Sequence, residues 1–424
     1  MGSPASAPPL THSSVIAAHE LIKPHIHLTP VLTSTTLSTL ASTPQSPEAL
    51  KGTEYEGQEP AKPKMRLFFK CENYQKVGAF KARGAFHAIA RLGDEQLQRG
   101  VVTHSSGNHA QALALAARTR GIPAHIVMPS ISTPSKIAAT RSYGANVIFS
   151  GSTSQEREAV VAEVMSRTGA TLVPPYDHPN IILGQGTLAL EMEAQVEGIL
   201  GRDAGLGVDG SAGGDSDRDG NGNDNANANE DGGRDGRRGR GLDAIVAPCG
   251  GGGMLSGIAT ALSGTGTAVF GAEPSFQGAD DARRGLAAGT RVTSVRSLTV
   301  ADGLRTPVGA IPWSVISDPG KVRAVYAVSE RQIKAALRLV LERMKVVIEP
   351  SAAVGLAAVL FDEGFRRVVE REGGEEGWNV GVVFSGGNTT VEAIGRLFAA
   401  TGEEGEEKGV LRREGERDAE NVAR

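Results

Sequence analysis

Short apolar runs alternate with segments of helical periodicity along most of the chain. The apolar runs, which are typical of buried strands, lie at residues 67–70, 101–102, 124–129, 146–149, 170–173, 244–249, 269–274 and 380–384. The helical patterns lie at residues 83–90, 112–117, 134–143, 154–167, 188–196 and 258–262, and residues 184–187 are predicted to open the helix at 188. Strands that alternate with helices form parallel sheets covered by helices, because parallel strands need a crossover connection. The predicted fold class is α/β, with two three-layer domains built on parallel sheets.

One internal segment breaks this pattern. Residues 201–241 are dominated by Gly, Asp, Asn and Arg and contain almost no apolar residues. Such a composition cannot bury enough apolar surface to offset the entropy lost on ordering, so we predict a low-complexity disordered insertion. Its Asp and Asn repeats loosely resemble calcium loops, but no Glu stands at the closing position of an EF-hand, which disfavours a calcium site. The charged tail at 402–424 is expected to fray.

Lys81 lies between a predicted strand and a helical pattern, in the segment QKVGAFKARG. An isolated lysine is usually a solvated surface residue, protonated at neutral pH and therefore a poor nucleophile. A lysine that is partly desolvated at a helix start can lose its proton and form a Schiff base with a carbonyl group. Lys81 is therefore a candidate catalytic residue if other motifs support the same chemistry.

Three further segments share the order strand, polar or glycine-rich turn, helix. They are THSSGNHAQ at 103–111, GGGGMLSG at 250–257 and SGGN at 385–388. N–H groups at a helix N-terminus favour an anion, and consecutive glycines let such groups close on a phosphate without interference from Cβ atoms. Plain N-capping could explain the first segment and a flexible linker the second, but apolar residues flank the glycines on both sides. Ligands of open α/β sheets bind beyond the carboxyl ends of strands, so we expect the three loops at one edge.

Together, Lys81 and these loops resemble the fold-type II family of pyridoxal 5′-phosphate (PLP) enzymes, whose fold is tryptophan synthase β-like. Within that family they are most similar to the serine racemase and serine/threonine dehydratase group. The resemblance covers roughly residues 15–400, apart from the insertion. It implies a large PLP-binding domain formed by residues 1–100 and 179–400, a small mobile domain formed by 101–178, and a homodimer.

The resemblance also implies roles for individual residues. Lys81 would carry PLP as a Schiff base, with Phe80 lying against it. Asn108 would hydrogen-bond the 3′ oxygen of the ring. Ser385 would face the pyridine nitrogen, where a neutral hydroxyl makes the ring a weaker electron sink than a carboxylate would and so suits elimination or proton exchange. The residues expected to cradle the phosphate are Gly250, Gly251, Gly252, Gly253 and Met254.

Two reactions are open once Lys81 removes the α-proton of a bound amino acid. Loss of a β-hydroxyl gives a keto acid and ammonia, whereas protonation from the opposite face gives racemisation. Ser106 matches the serine that acts as the opposite-face acid in the racemases, while biosynthetic threonine dehydratases usually carry a small apolar residue there. The residues expected around the substrate carboxylate are Ser105, Ser106, Gly107 and His109.

The resemblance therefore predicts a serine racemase and/or an L-serine/L-threonine ammonia-lyase. A threo-3-hydroxyaspartate ammonia-lyase is the main alternative, because that enzyme also carries Ser-Ser-Gly-Asn-His. A β-replacement enzyme related to cysteine synthase and a non-catalytic binding protein on the same fold are less favoured, the latter because it would be expected to have lost the lysine or the glycine loop.

An acidic turn follows the apolar run at 269–274. Composition alone favours a solvated turn, although two carboxylates and a carbonyl can hold a hard divalent cation. The racemase-like enzymes have a Mg²⁺/Ca²⁺ site whose ligands match Glu273, the Ala279 carbonyl and Asp281, with a longer spacing between the first two here than in the animal enzymes. Those animal enzymes also bind ATP at a subunit boundary, which makes ATP a candidate activator.

Composition and charge indicate which classes of partner the protein has. The chain has 424 residues and a formal net charge of −4, which gives no sign of a nucleic-acid or membrane partner. Its two cysteines, Cys71 and Cys249, exclude a disulfide scaffold and favour a reducing compartment. No apolar run reaches the length of a membrane span, and the first residues lack the pattern of a secretory signal. We expect a cytoplasmic enzyme that acts on a small amino acid.

Overall fold

The computed structural model describes residues 7–205 and 241–399. The strands are β1 (Val31–Thr33), β2 (Met65–Cys71), β3 (Val101–His104), β4 (Ala124–Pro129), β5 (Asn146–Ser150), β6 (Thr171–Leu172), β7 (Ala244–Pro248), β8 (Ala268–Pro274), β9 (Ala324–Val328) and β10 (Trp378–Phe384). The α-helices are α1 (His12–Ile22), α2 (Thr35–Ser42), α3 (Lys81–Ala90), α4 (Asp94–Arg99), α5 (Asn108–Arg120), α6 (Pro134–Ser142), α7 (Ser154–Thr168), α8 (Pro179–Gly205), α9 (Gly253–Ala261), α10 (Asp281–Ala288), α11 (Ala310–Ile316), α12 (Glu330–Leu339), α13 (Pro350–Phe361), α14 (Glu363–Gly373) and α15 (Val391–Ala399).

The larger sheet has the strand order β1-β2-β10-β7-β8-β9. Its strands pair in parallel, except that β1 runs antiparallel to β2. All five residues of β7 are buried, which is typical of a parallel strand covered on both faces. Because β10 lies between β2 and β7, the loops that follow these three strands leave the same edge side by side.

The smaller sheet has the order β5-β4-β3-β6, and all its pairs are parallel. The loop at 103–111 follows β3 and therefore belongs to this sheet, so the expectation that all three loops share one sheet edge is wrong for it. The four strands lie within residues 101–178, the range expected for the small domain. The boundaries and the mobility of that domain stay predictions.

Helix α8 begins earlier than the sequence suggested. Residues 184–187 were expected to open a helix, but they lie inside α8, which begins at Pro179. Their glycines serve close packing: a Cβ on Gly184 would lie 2.7 Å from Gly84 Cα, and a Cβ on Gly186 would lie 2.5 Å from Gly257 O. Helices α3 and α9 can therefore approach α8 closely, which a prediction based on turn residues does not anticipate.

The predicted insertion also begins later than expected, because residues 201–205 continue α8. Residues 206–240 and the tail at 402–424 lie outside the described residues. Asn388–Arg424 is a unit separate from Met1–Gly387, and its described part contains α15. Among residues 7–205 and 241–399, no helix combines the length and apolar character that a membrane span requires.

Candidate active site

Lys81 is the first residue of α3, and the turn before it is held by backbone hydrogen bonds to the loop after β10. Phe80 N donates to Ser385 O at 3.1 Å, and Gly387 N donates to Gly78 O at 2.9 Å. Within the turn, Val77 has a φ of 57°. A β-branched residue at positive φ is strained by about 1–3 kcal/mol, and such strain persists only where the surroundings impose it. The backbone in front of Lys81 is therefore tightly constrained.

The Lys81 ammonium group is largely withdrawn from solvent. Its Nζ donates to Pro175 O at 2.7 Å and lies 5.0 Å from the centre of the Phe80 ring. Burial lowers the pKa of Lys81 to about 8, against the opposing effect of the Glu349 charge. A lysine with a pKa close to neutral is suited to form a Schiff base and to exchange protons.

A buried ionic network anchors α3 directly behind Lys81. Arg83 donates to Glu72 Oε2 at 2.8 Å and to Glu191 Oε2 at 2.7 Å. Lys70 donates to the same Glu191 oxygen at 2.7 Å and to Thr29 O at 2.8 Å. The two cations and two carboxylates are all buried. Removing one member of such a network leaves an uncompensated charge, which typically costs about 3–5 kcal/mol.

The four glycines at 250–253, the last of which begins α9, leave no room for side chains. A Cβ on Gly251 would lie 2.5 Å from Tyr176 Cδ1, and one on Gly252 would lie 2.8 Å from Ile316 Cδ1. Gly252 also has a φ of 81°, a backbone conformation that favours glycine. The loop therefore exposes main-chain N–H groups at the start of α9, an arrangement that fits the PLP phosphate.

The polar loop after β3 meets the other loops through side chains. Asn108 Nδ2 donates to Glu349 Oε1 at 2.9 Å. His109 Nε2 lies 3.1 Å from Val173 O, while His109 Nδ1 is buried with no partner among the described residues. Burial and the Lys81 charge lower the pKa of His109 to about 3, so this imidazole is neutral.

Two of the predicted site serines, Ser385 and Ser106, occupy different environments. Ser385 is buried at the end of β10. Ser106 is half-buried in the loop that carries Asn108, and no hydrogen bond among the described residues joins its side chain to Lys81. The structure thus brings the lysine, the glycines, Asn108 and Ser385 into one chain of contacts, whereas Ser106 is placed only by its loop.

Sequence analysis missed two contributors. Glu349 precedes α13, and its backbone N donates to Gly386 O at 3.0 Å. Its carboxylate would lie 2.7 Å from a Cβ on Gly386, so it fills the space between that glycine and Asn108. The second contributor is the dipeptide Pro175-Tyr176, which contacts Lys81 and Gly251. The Glu-Pro pair at the start of α13 is typical of a helix N-terminus. It does not predict the contacts that Glu349 makes with Gly386 and Asn108.

The residues predicted to hold a cation lie around the N-terminus of α10. Glu273 accepts hydrogen bonds from Ala282 N and Arg283 N, both at 3.0 Å. Asp281 Oδ2 accepts from Val308 N at 2.9 Å, but Asp281 Oδ1 is buried with no partner among the described residues. Asp280 instead pairs with two arginines on α10.

The electrostatics of this turn fit a hard cation. Burial, followed by the Asp281 charge, raises the pKa of Glu273 well above its usual range, and burial raises the pKa of Asp281 to about 6. Two mutually repelling buried carboxylates and a free oxygen suit Mg²⁺ or Ca²⁺. Ala279 is also buried. Among the described residues no group of three His, Cys, Asp or Glu side chains could hold a metal, so a backbone carbonyl would be needed.

Comparison with known proteins places the chain in a family. The pyridoxal-phosphate dependent enzymes match it over residues 53–204 and 236–386. Serine racemase of Arabidopsis thaliana is 37% identical over 92% of this chain and 96% of its own length, and beta-hydroxyaspartate dehydratase of Paracoccus denitrificans is 36% identical over 91% and 98%. The structure of maize serine racemase aligns with a TM-score of 0.70 and 35% identity over 92% of this chain and 97% of the maize chain. The chain belongs to the pyridoxal-phosphate dependent enzymes, as a fold-type II member of the serine racemase and serine/threonine dehydratase family.

Proposed function

We propose that the protein is a PLP-dependent serine racemase that also acts as an ammonia-lyase on L-serine or L-threonine. One observation supports this most: Pro175-Tyr176 contacts both Lys81 Nζ and the glycine loop. One dipeptide thereby contacts both the reactive lysine and the glycine loop that would hold the phosphate. The residues that would hold PLP are Phe80, Lys81, Asn108, Gly250, Gly251, Gly252, Gly253, Met254 and Ser385.

Bound PLP would withdraw electrons from the α-carbon of the amino acid and so make its proton acidic. The chain's own contribution is to position and exchange that proton. Lys81 has a pKa close to neutral and serves as the base on one face. The loop after β3 and the first residues of α5, from Ser105 to His109, present N–H groups to the substrate carboxylate. Ser106 returns a proton on the opposite face.

The Ser106→Ala variant tests the assignment of the racemase. It should lower interconversion of L- and D-serine by at least about 100-fold while leaving much of the pyruvate formation from L-serine, because general acid catalysis contributes about that much. Ser105→Ala is the matched control from the same loop and should change both reactions in parallel. Unchanged racemisation in Ser106→Ala would remove Ser106 as the second acid. Brisk elimination with no racemisation in the parent enzyme would reassign the protein as a dedicated ammonia-lyase.

A threo-3-hydroxyaspartate ammonia-lyase is the second candidate. The observation in its favour is the 36% identity to beta-hydroxyaspartate dehydratase over nearly the whole of both chains. Steady-state kcat/KM values for L-serine, L-threonine and 3-hydroxyaspartate separate the two. A preference for hydroxyaspartate of more than about tenfold, which corresponds to 1.4 kcal/mol, would favour this candidate.

The remaining parts of the proposal follow the family resemblance. Glu273, the Ala279 carbonyl and Asp281 would bind Mg²⁺ or Ca²⁺, supported by the buried oxygen of Asp281 that has no partner among the described residues. ATP activation, a homodimer, a cytoplasmic location and a mobile small domain at 101–178 also belong to the proposal. Sedimentation and activity measurements with and without ATP test the first two.

A further inference from the structure

A cavity of about 100 Å³ lies beyond the end of α3, between α4 and the chain that links β6 to α8. Its polar walls are formed by Arg91, Gln96, His178 and Asn180, and its apolar walls include Ala88 and Val173. None of the residues assigned to PLP, substrate or metal lines it. It is therefore a separate site from the one described above.

The cavity presents hydrogen-bond donors from Arg91, which is exposed, and from His178. Asn180 N donates to His178 Nδ1 at 3.1 Å, which leaves the His178 proton on Nε2. The Asn180 side chain has a buried oxygen with no partner among the described residues, and its amide can rotate to present the NH₂ group instead. Arg91 forms no ion pair within residues 7–205 and 241–399. None of the lining residues is acidic.

Arg91 is the only Lys, Arg, Asp or Glu residue among those that line the cavity. His87 Nδ1 donates to Asn180 O at 2.6 Å, and the pKa of His87 is lowered to about 4 mainly by burial, with smaller contributions from Arg91 and His178. Burial lowers the pKa of His178, and the opposing charge of Asp177 does not reverse this direction. The Asp177 carboxylate accepts hydrogen bonds from Ala310 N and Ile311 N. The two histidines are therefore neutral, and an anion in the cavity would be attracted by Arg91.

We propose that the cavity binds a small oxyanion, either inorganic phosphate or a short carboxylate. One water molecule needs about 10–15 Å³ of such cavity space, so the cavity has room for an ion of a few heavy atoms. The Arg91 guanidinium supplies a fork suited to two oxygens, and His178 and Asn180 supply further donors.

Binding there would act on the PLP site through the chain between β6 and α8. Val173 lines the cavity, and its carbonyl oxygen accepts from the buried ring of His109 at 3.1 Å. Two residues further on, Pro175 O accepts from Lys81 at 2.7 Å. An oxyanion that fixes this chain would stabilise the arrangement that holds Lys81, and the coupling is necessarily reciprocal.

Thermal unfolding of the PLP-loaded enzyme tests the proposal without reference to turnover. Phosphate or acetate should raise the Tm by about 2 °C over chloride at matched ionic strength, the size expected for a ligand well above its Kd in a chain of this length. Arg91→Ala should abolish that shift, and PLP content, measured by absorbance, should stay at the parent level. Arg120→Ala, an exposed arginine at the end of α5, is the matched control and should keep the shift.

The two ligands separate the sources of the oxyanion. A shift with phosphate alone, or with acetate alone, supports the proposal and identifies the class. Isothermal titration of the same holoenzyme should give one site, lost in both Arg91→Ala and Arg91→Glu. A shift that survives both substitutions, or no stabilisation beyond that of chloride, would overturn the proposal.

Discussion

Two groups of loops meet at the candidate active site, and they are held in different ways. In the six-stranded half, the loops at 76–81 and 385–387 are joined by main-chain hydrogen bonds such as that from Phe80 N to Ser385 O at 3.1 Å. The glycine loop at 250–254 is held by a main-chain bond from Gly309 N to Gly251 O, also at 3.1 Å. The loops of the four-stranded half, at 105–109 and 173–178, meet them mostly through single side chains. Asn108 reaches Glu349, and Lys81 reaches Pro175.

This difference is what a rigid six-stranded half and a mobile four-stranded half would require. Main-chain hydrogen bonds survive any side-chain substitution and resist displacement, whereas one or two side-chain contacts can break and reform at low cost. A site that admits an amino acid and then excludes water needs a loop or domain that can open and close over the substrate. The contrast supports the proposed mobility of residues 101–178, and each prediction below perturbs one of the two halves.

The largest expected effect is on the buried network of the six-stranded half. Arg83→Met should lower the free energy of unfolding by about 3–5 kcal/mol, because Glu72 and Glu191 lose their shared partner while still buried. Chemical denaturation of the PLP-free protein measures it. Arg99→Met, which removes an exposed pair with Glu95, is the control and should cost less than about 1 kcal/mol. Equal losses in the two variants would contradict a structural role for the network.

The next effect concerns the phosphate cradle. Gly251→Ala should cost about 1–3 kcal/mol and weaken PLP retention, since its Cβ would lie 2.5 Å from Tyr176 Cδ1. Gly201→Ala is the control, because no atom lies within 4 Å of a Cβ there. Equilibrium dialysis of PLP compares the two. Normal retention in Gly251→Ala would show that the close packing of this loop is dispensable.

Removal of divalent cations should produce a loss of stability that depends on pH. The folded-state pKa values of Glu273 and Asp281 lie above their usual ones, so the folded state binds more protons and stability falls as the pH rises from about 4 through 6. With a chelator the loss should be about 1–3 kcal/mol in total, and Mg²⁺ or Ca²⁺ should restore it above pH 6.

Thermal unfolding across this pH range, with and without metal, measures the effect. Asp281→Asn should flatten both the pH dependence and the response to metal, whereas Asp318→Asn, an exposed carboxylate, should change neither. Full restoration by metal in Asp281→Asn would place the ion elsewhere.

The smallest effect is expected where the two halves meet at the surface. Lys136 on α6 pairs with Asp302 Oδ2 at 2.8 Å, and both side chains are partly exposed. Lys136→Met should change stability by less than about 1 kcal/mol, yet hydrogen exchange in α6 should accelerate about 2–5-fold if the four-stranded half opens. Lys62→Met, which removes an exposed pair within one loop, is the control. Unchanged exchange in α6 would count against an opening motion.

Sequence alone located most strands to within a residue or two, because short apolar runs bounded by polar turns have few other interpretations. It also found Lys81 and the glycine loop, whose chemistry is local. Sequence reasoning failed for residues whose role depends on tertiary contacts. Gly184 and Gly186 looked like turn residues, but they allow helices to touch, and Glu349 joins Asn108 only after distant elements pack. The anchoring network around Arg83 was likewise invisible, because its partners come from β2, its following turn and α8.

The central claim is that Lys81 carries PLP at the edge of the six-stranded sheet. The most direct measurement is reduction of the purified enzyme with borohydride, which fixes a lysine-bound PLP irreversibly, followed by peptide mass spectrometry. The account predicts a single modified peptide containing Lys81, and no modification in Lys81→Ala. PLP fixed on a different lysine, or undiminished modification and turnover in Lys81→Ala, would contradict it.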